Sequence, residues 1–302
     1  MRTPSAGRVR IVLLCVAGAA CFALPGIASA QEAPICLESG IQGEKLTDGV
    51  DHWKGTSKGD KVTGLRGKDD LRGLGGDDLL NGGRDNDKVF GGPGNDIICG
   101  GRSADKLFGD AGNDTIYGEE ENDTIYPGPG DDKVLGSAGD DKIYGYGEKG
   151  GEIIDDGIDI LDGGFNDDII IAGGADRLYG FTHNDTLSTK TPLIAPEVMD
   201  GGGNDDTLLG SEADDTMTGG DNGRDKLFGA GGNDDLNGTG NDDELFGQLG
   251  DDNLKGGDGF DALDGGPGND TCDGGDLEDS GVDCEKEIDI ERGKLAPLFR
   301  GL

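Results

Sequence analysis

Apolar residues recur along much of this chain at a fixed step of nine, each standing two positions after an aspartate. The first run of aspartates is Asp60, Asp69, Asp78, Asp87, Asp96, Asp105, Asp114, Asp123, Asp132 and Asp141. The apolar positions that answer it are Val62, Leu71, Leu80, Val89, Ile98, Leu107, Ile116, Ile125, Val134 and Ile143. A second run, Asp225, Asp234, Asp243, Asp252, Asp261 and Asp270, is followed by Leu227, Leu236, Leu245, Leu254, Leu263 and Cys272. Shorter pieces between them hold Asp159 and Asp168, Asp176 and Asp185, and Asp206 and Asp215. Glycine keeps the same step, five residues before most of these aspartates, as at Gly91 before Asp96 and Gly265 before Asp270. A clear unit is Gly91-Gly92-Pro93-Gly94-Asn95-Asp96-Ile97-Ile98-Cys99.

Each unit predicts a tight turn over its first six residues, where glycine reaches positive φ without a Cβ clash. Its last three residues, centred on an aliphatic side chain, predict a very short strand. Strand neighbours face opposite ways, so the aliphatic residue points inward and its neighbours outward. Two units make one coil of 18 residues: strand, turn, strand, turn. Stacked coils lie about 4.8 Å apart, and only stacking buries the inward row. The fold class predicted is all-β, a parallel β-roll.

Composition sharpens this picture. The chain has 302 residues, 62 of them glycine, with 63 acids against 26 bases and a single Trp. So few large apolar residues exclude a wide core, and the periodicity argues against disorder. With a formal charge of −37 the chain is no nucleic-acid ligand, because counterion release needs Lys and Arg. It repels itself unless cations neutralise it. Stacking sets Asp96 beside Asp114 and Asp105 beside Asp123, a strand spacing apart. Ca²⁺ suits such rows: it takes 6–8 oxygens from carboxylates and backbone carbonyls. Binding energy would then be folding energy.

These units resemble the RTX, or hemolysin-type, nonapeptide repeat, G-G-x-G-x-D-x-U-x. The resemblance covers most of residues 55–145 and 220–275, with degenerate copies between. It implies a parallel β-roll with Ca²⁺ between successive turns, held by aspartates 18 residues apart and by turn carbonyls. Asp78/Asp96, Asp96/Asp114 and Asp114/Asp132 would flank ions on one side. Asp87/Asp105, Asp105/Asp123 and Asp123/Asp141 would do so on the other. Taking every 18-residue pair of the two runs as a site gives about 12 ions. Residues 100–105 and 118–123 lack the fourth glycine, which predicts weaker turns there. Residues 55–60 look like a capping coil.

The start of the chain reads as a secretory signal peptide over residues 1–30. Arg2, Arg8 and Arg10 precede the apolar stretch Ile11–Leu24, and Ala28-Ser29-Ala30 forms a cleavage site. Its removal takes three Arg and no acid, so the charge moves from −37 to −40. No second segment approaches membrane length. The predicted plan continues with an N-terminal cap over 31–54, a first repeat block over 55–145, degenerate repeats over 146–219, a second block over 220–275 and a C-terminal cap over 276–302. Whether one roll passes through the middle segment or two rolls abut there is open at this level. The mature chain keeps Cys36, Cys99, Cys272 and Cys284, for which we expect Cys272–Cys284 and Cys36–Cys99 disulfides, since exported thiols pair.

Enzyme motifs carry little weight. Gly55-Thr56-Ser57-Lys58-Gly59 spells a nucleophile elbow without its strand-to-helix context. Residues 145–150 spell a dinucleotide fingerprint with no helix to follow. Only His52 and His183 are present, and no stretch outside the repeats is long enough for a catalytic domain. The sequence therefore predicts a secreted, non-enzymatic calcium-binding repeat protein. The alternatives are a calcium-dependent surface adhesin or glycan- or matrix-binding protein and, less favoured, a secreted hydrolase with an appended roll.

Overall fold

A computed structural model of the chain describes residues 43–149, 152–154, 157–190, 195–275, 279–282, 284 and 286–288. Apart from one two-stranded hairpin, consecutive strands alternate between two parallel sheets of 14 and 13 strands. Each strand therefore pairs with the next but one, through a turn, a strand of the other sheet and a second turn. The fold is a β-solenoid of stacked coils, as the period predicts. No helix occurs among the described residues, and none is long and apolar enough to cross a membrane.

The register is the sequence period made visible. In the 14-stranded sheet Val62 pairs with Leu80, Leu80 with Ile98, Ile98 with Ile116 and Ile116 with Val134. In the other sheet Leu71 pairs with Val89, Val89 with Leu107, Leu107 with Ile125 and Ile125 with Ile143. All of these side chains are buried, most at 0% exposure, and they form one cluster from Val62 to Cys272. That row is one residue deep from each sheet, as the shortage of large apolar residues requires. Each fully buried aliphatic contributes about 1.5–3 kcal/mol relative to exposure.

Both sheets run unbroken through residues 146–219, so there is one roll and not two. Val134 pairs with Leu161 and Ile143 with Ile170, a step of 27 in place of 18. Part of this excess forms an antiparallel hairpin, Gly147–Lys149 with Glu152–Ile154. Leu161 pairs with Leu178 and Leu178 with Met199. The latter step spans the Lys190–Pro196 insert, of which residues 191–194 lie outside the described part. Insertions thus fall in turns and leave the inward row in phase, since a one-residue slip within a strand would reverse its faces. At the N-terminal side, pairing among the described residues begins with Glu44–Lys45 and His52–Lys54, and residues 55–60 are the closing turn of that same first coil.

Strands are longer than the three residues predicted. Many span six, such as Leu79–Arg84 and Ile97–Arg102. Coils of equal shape stack in register, so the backbone of the turn's first half bonds to its copy in the next coil as well.

Candidate metal centre

The turn explains both glycine and aspartate. In the unit starting at Gly100, the second residue, Gly101, is left-handed at φ 114°, whereas the first, Gly100, is not. Gly100 is required by crowding: a Cβ there would lie 2.7 Å from Asp105 Oδ2 and 2.7 Å from the Gly118 carbonyl of the next coil. The fourth position is left-handed even without glycine, at Ser103 (φ 80°) and Glu121 (φ 76°). These two turns keep their shape, at a local backbone cost that glycine avoids.

Each repeat aspartate is tied to its copy in the neighbouring coil. The Asp78 N–H donates to Asp96 Oδ1 at 2.7 Å, and the Asp78 carbonyl accepts from the Ile97 N–H at 2.9 Å. The same bond links Asp87 to Asp105, Asp96 to Asp114, Asp105 to Asp123 and Asp123 to Asp141. In the second run it links Asp225 to Asp243, Asp234 to Asp252, Asp243 to Asp261 and Asp252 to Asp270. Asp69 binds Asp87, Asp114 binds Asp132, and Asp132 reaches across the long insert to Asp159. The predicted aspartates therefore form two continuous ladders, one on each side of the roll. All are buried at 4% exposure or less except Asp60, which is half-buried.

The second carboxylate oxygen sets these residues apart. In Asp69, Asp78, Asp87, Asp96, Asp105, Asp114, Asp123 and Asp141, Oδ2 is buried without a hydrogen-bond partner. The same holds for Asp225, Asp234, Asp243, Asp252 and Asp261, and for Asp168, Asp185 and Asp206 in the degenerate segment. Asp60 is different: its Oδ2 accepts from the Thr56 N–H at 2.6 Å and the Thr56 hydroxyl at 2.9 Å. Asp215 similarly accepts at Oδ2 from the Ser211 N–H at 2.6 Å. A Thr or Ser four residues before the aspartate closes the turn on itself.

Sequence reasoning passed over three members of the ladders. The Asp51 N–H donates to Asp69 Oδ1 at 2.7 Å, and the Asp261 N–H donates to Asp279 Oδ1 at 2.9 Å. Glu197 takes an aspartate's place: the Asp176 N–H donates to its Oε2 at 3.1 Å, and its own N–H donates to Asp215 Oδ1 at 2.7 Å. Glu197 keeps the spacing, with Met199 two residues on, and is found once glutamate is admitted to the pattern.

Burial holds these carboxyls far above the usual carboxylate range. Asp105 and Asp168 are pushed up to about 9, and Asp123, Asp206 and Asp243 to about 8. Loss of water is the largest cause in each. The N–H from the preceding coil offsets it in part, and neighbouring carboxylates add to it. A buried anionic oxygen with no donor costs several kcal/mol, which a cation would remove. The donor set is all hard oxygen. No group of three or more His, Cys, Asp or Glu side chains converges among the described residues, so a cation here must complete its shell from backbone carbonyls or water. That is the ligand chemistry of Ca²⁺.

A disulfide joins Cys272 to Cys284, with Cα atoms 6.0 Å apart, and ties the last coil to the segment beyond it. Cys99 is also disulfide-bonded, while Cys36 lies outside the described residues.

Two sheets closed by turns that aim buried carboxylates along the roll define a class: a β-solenoid whose turns offer oxygen ligands to cations. The RTX calcium-binding nonapeptide repeat matches at residues 63–98, 90–125, 100–134, 126–148, 172–189, 200–222, 220–245 and 246–280. These segments cover more than half of the chain, which therefore belongs to that family of calcium-binding repeat proteins. Among solved structures, the chain is similar to a hyperactive, Ca²⁺-dependent, β-helical antifreeze protein from an Antarctic bacterium. The two share 19% identity over 81% of this chain and 80% of that one, with a TM-score of 0.36. No curated protein matches the chain.

Proposed function

We propose that this is a secreted, non-enzymatic repeat protein whose roll is ordered by Ca²⁺ and serves a structural or binding role outside the cell. The observation that carries this reading is the buried Oδ2 ladder on each side of the roll. Ions between Asp87 and Asp105, Asp96 and Asp114, or Asp234 and Asp252 would neutralise oxygens that the chain itself leaves without a donor. About a dozen such ions are expected, fewest where Thr56 and Ser211 already occupy the carboxylate. The leader-like residues 1–30 and the cysteine pairing favour export, where millimolar calcium is at hand.

A non-enzymatic role is favoured by the layout of the titratable groups. The ladder carboxylates repeat without a unique position, and the two histidines, His52 and His183, stand on exposed surface. The test is a count of bound metal. The chain, purified without residues 1–30 and passed through gel filtration in calcium, should carry about a dozen Ca²⁺ by elemental analysis, with Mg²⁺ unable to replace them. A ratio near one would leave the ladders as metal-free structure and end the reading. Export is tested separately, by following a reporter fused behind residues 1–30.

A further inference from the structure

The outward face of the 13-stranded sheet carries a strip unlike the rest of this acidic molecule. Phe90, Phe108, Tyr126 and Tyr144 follow one another on successive coils. Their ring centroids are 4.6, 5.1 and 4.9 Å apart, with planes within 11° of parallel. Beside them runs a second row, two residues earlier in each strand: Lys88, Lys106, Thr124 and Lys142. The three lysines are exposed, and Lys88 lies 4.9 Å from the Phe90 centroid and 5.6 Å from that of Phe108.

Two features of this strip call for a ligand. Lys88 stands in register between Asp70, whose carboxyl Arg72 and in part the Lys88 charge hold low, and Lys106, a like charge that destabilises a sheet. Neither Lys88 nor Lys106 nor Lys142 makes an ion pair among the described residues, although acids outnumber bases 63 to 26 in the chain. Further along the same face the equivalent Lys226 is paired with Glu244 at 3.4 Å, so a neutralised version of the motif exists in this very roll. The rings, for their part, spend their faces on one another and, at Phe90, on Arg72, whose guanidinium lies 4.8 Å from the ring centroid. What they present outward is their edges, the positive part of the aromatic quadrupole. Ammonium groups and ring edges side by side attract anions.

We propose that this strip docks an acidic polysaccharide, with its acidic groups along the lysine row and its sugar rings against the aromatic edges. The strip is one residue pair wide and spans the coils from Lys88 to Lys142, about 14 Å at the strand spacing, so it fits an extended chain rather than a flat surface. Single-stranded nucleic acid needs aromatic faces for base stacking, and the ladder has used these up. The inference rests on the calcium-ordered roll, since only stacked coils bring the two rows into line.

The test is calorimetric titration of the calcium-loaded chain with a galacturonic acid hexamer, and with cellohexaose as the neutral control. Circular dichroism of the same sample establishes that the roll is folded, which separates failure of this proposal from failure of the calcium reading. The acidic oligomer should bind and the neutral one should not. The triple variant K88S/K106S/K142S, and separately Phe108→Ser, should keep the calcium-loaded β signal and bind the acidic oligomer roughly tenfold or more weakly. A folded chain that binds neither sugar overturns the proposal. So does equal binding of both sugars, tighter binding of an oligodeoxythymidylate or of anionic vesicles, or self-association that Phe108→Ser abolishes without any sugar binding.

Discussion

Changing Asp105 to Asn should move the stability of this protein in opposite directions with and without calcium. Asn is nearly isosteric, so its Oδ1 keeps accepting the Asp87 N–H, now at 2.7 Å. Only the buried, unpartnered Oδ2 is exchanged for an amide. The carboxyl of Asp105 is pushed up to about 9 in the fold, from 3.8 in the free residue. At pH 7.5 the metal-free fold must therefore hold it protonated, at a cost of about 5 kcal/mol against the unfolded chain, taking 1.36 kcal/mol per unit. Asn removes that cost and adds about 1–3 kcal/mol for an amide left without an acceptor. The metal-free roll should gain about 2–4 kcal/mol. In saturating calcium the variant instead lacks a charged ligand and should melt lower and need more calcium to fold. The assay is β-sheet circular dichroism in two series: a calcium titration, and a refolding titration in chelator with trimethylamine N-oxide, which strengthens burial. Asp105→Asn should shift the calcium midpoint up and the osmolyte midpoint down. If both folds weaken alike, Oδ2 is only a structural acceptor and the cation reasoning fails.

Four further outcomes follow from the same geometry. Gly100→Ala should destabilise the calcium-loaded roll by about 1–3 kcal/mol or more, because its Cβ meets Asp105 Oδ2 and the Gly118 carbonyl; Gly75→Ala, whose nearest neighbour would be 3.4 Å away, should be close to neutral in the same melt. Leu107→Ala, at a fully buried position, should cost about 2–5 kcal/mol in calcium. Without metal, the β signal should grow on acidification: carboxyls held at about 7 to 9, such as Asp87, Asp96, Asp123 and Asp105, favour the fold most below the unfolded value of 3.8, and that contribution is lost as pH rises through 7–9. Cys284→Ser should lower the melting temperature of the loaded roll, with hydrogen exchange rising first in the coil around Cys272.

Much of the fold was legible because a single physical rule generates it. A nine-residue step with one aliphatic and one aspartate can bury its apolar side chain only by stacking, so Leu80, Ile98 and Ile116 had to align. The continuity of the roll was not legible. The hairpin at Gly147–Lys149 and the insert near Lys190 break the count along the chain, yet add length only in turns, where stacking tolerates it. Glycine's reason was also hidden. Sequence reasoning assigned the turn's glycines as a group to backbone freedom, whereas at Gly100 the constraint is the carboxylate and carbonyl that would meet a Cβ there. The ladder carboxylates were visible by spacing, but the closing role of Thr56 at Asp60 depends on a hydrogen bond that spacing does not encode. Glu197 escaped because a longer acid was not admitted, and Asp279 because Gly281 stands where an aliphatic residue marks other coils.

The central claim is that buried carboxylate ladders make calcium part of this fold. It is tested most directly by following the β-sheet signal of residues 31–302 through a calcium titration from excess chelator, with magnesium as control. The account predicts an unfolded chain in chelator at pH 7.5 and a cooperative coil-to-β transition with calcium alone. Full β structure in chelator, unchanged by calcium, would contradict it.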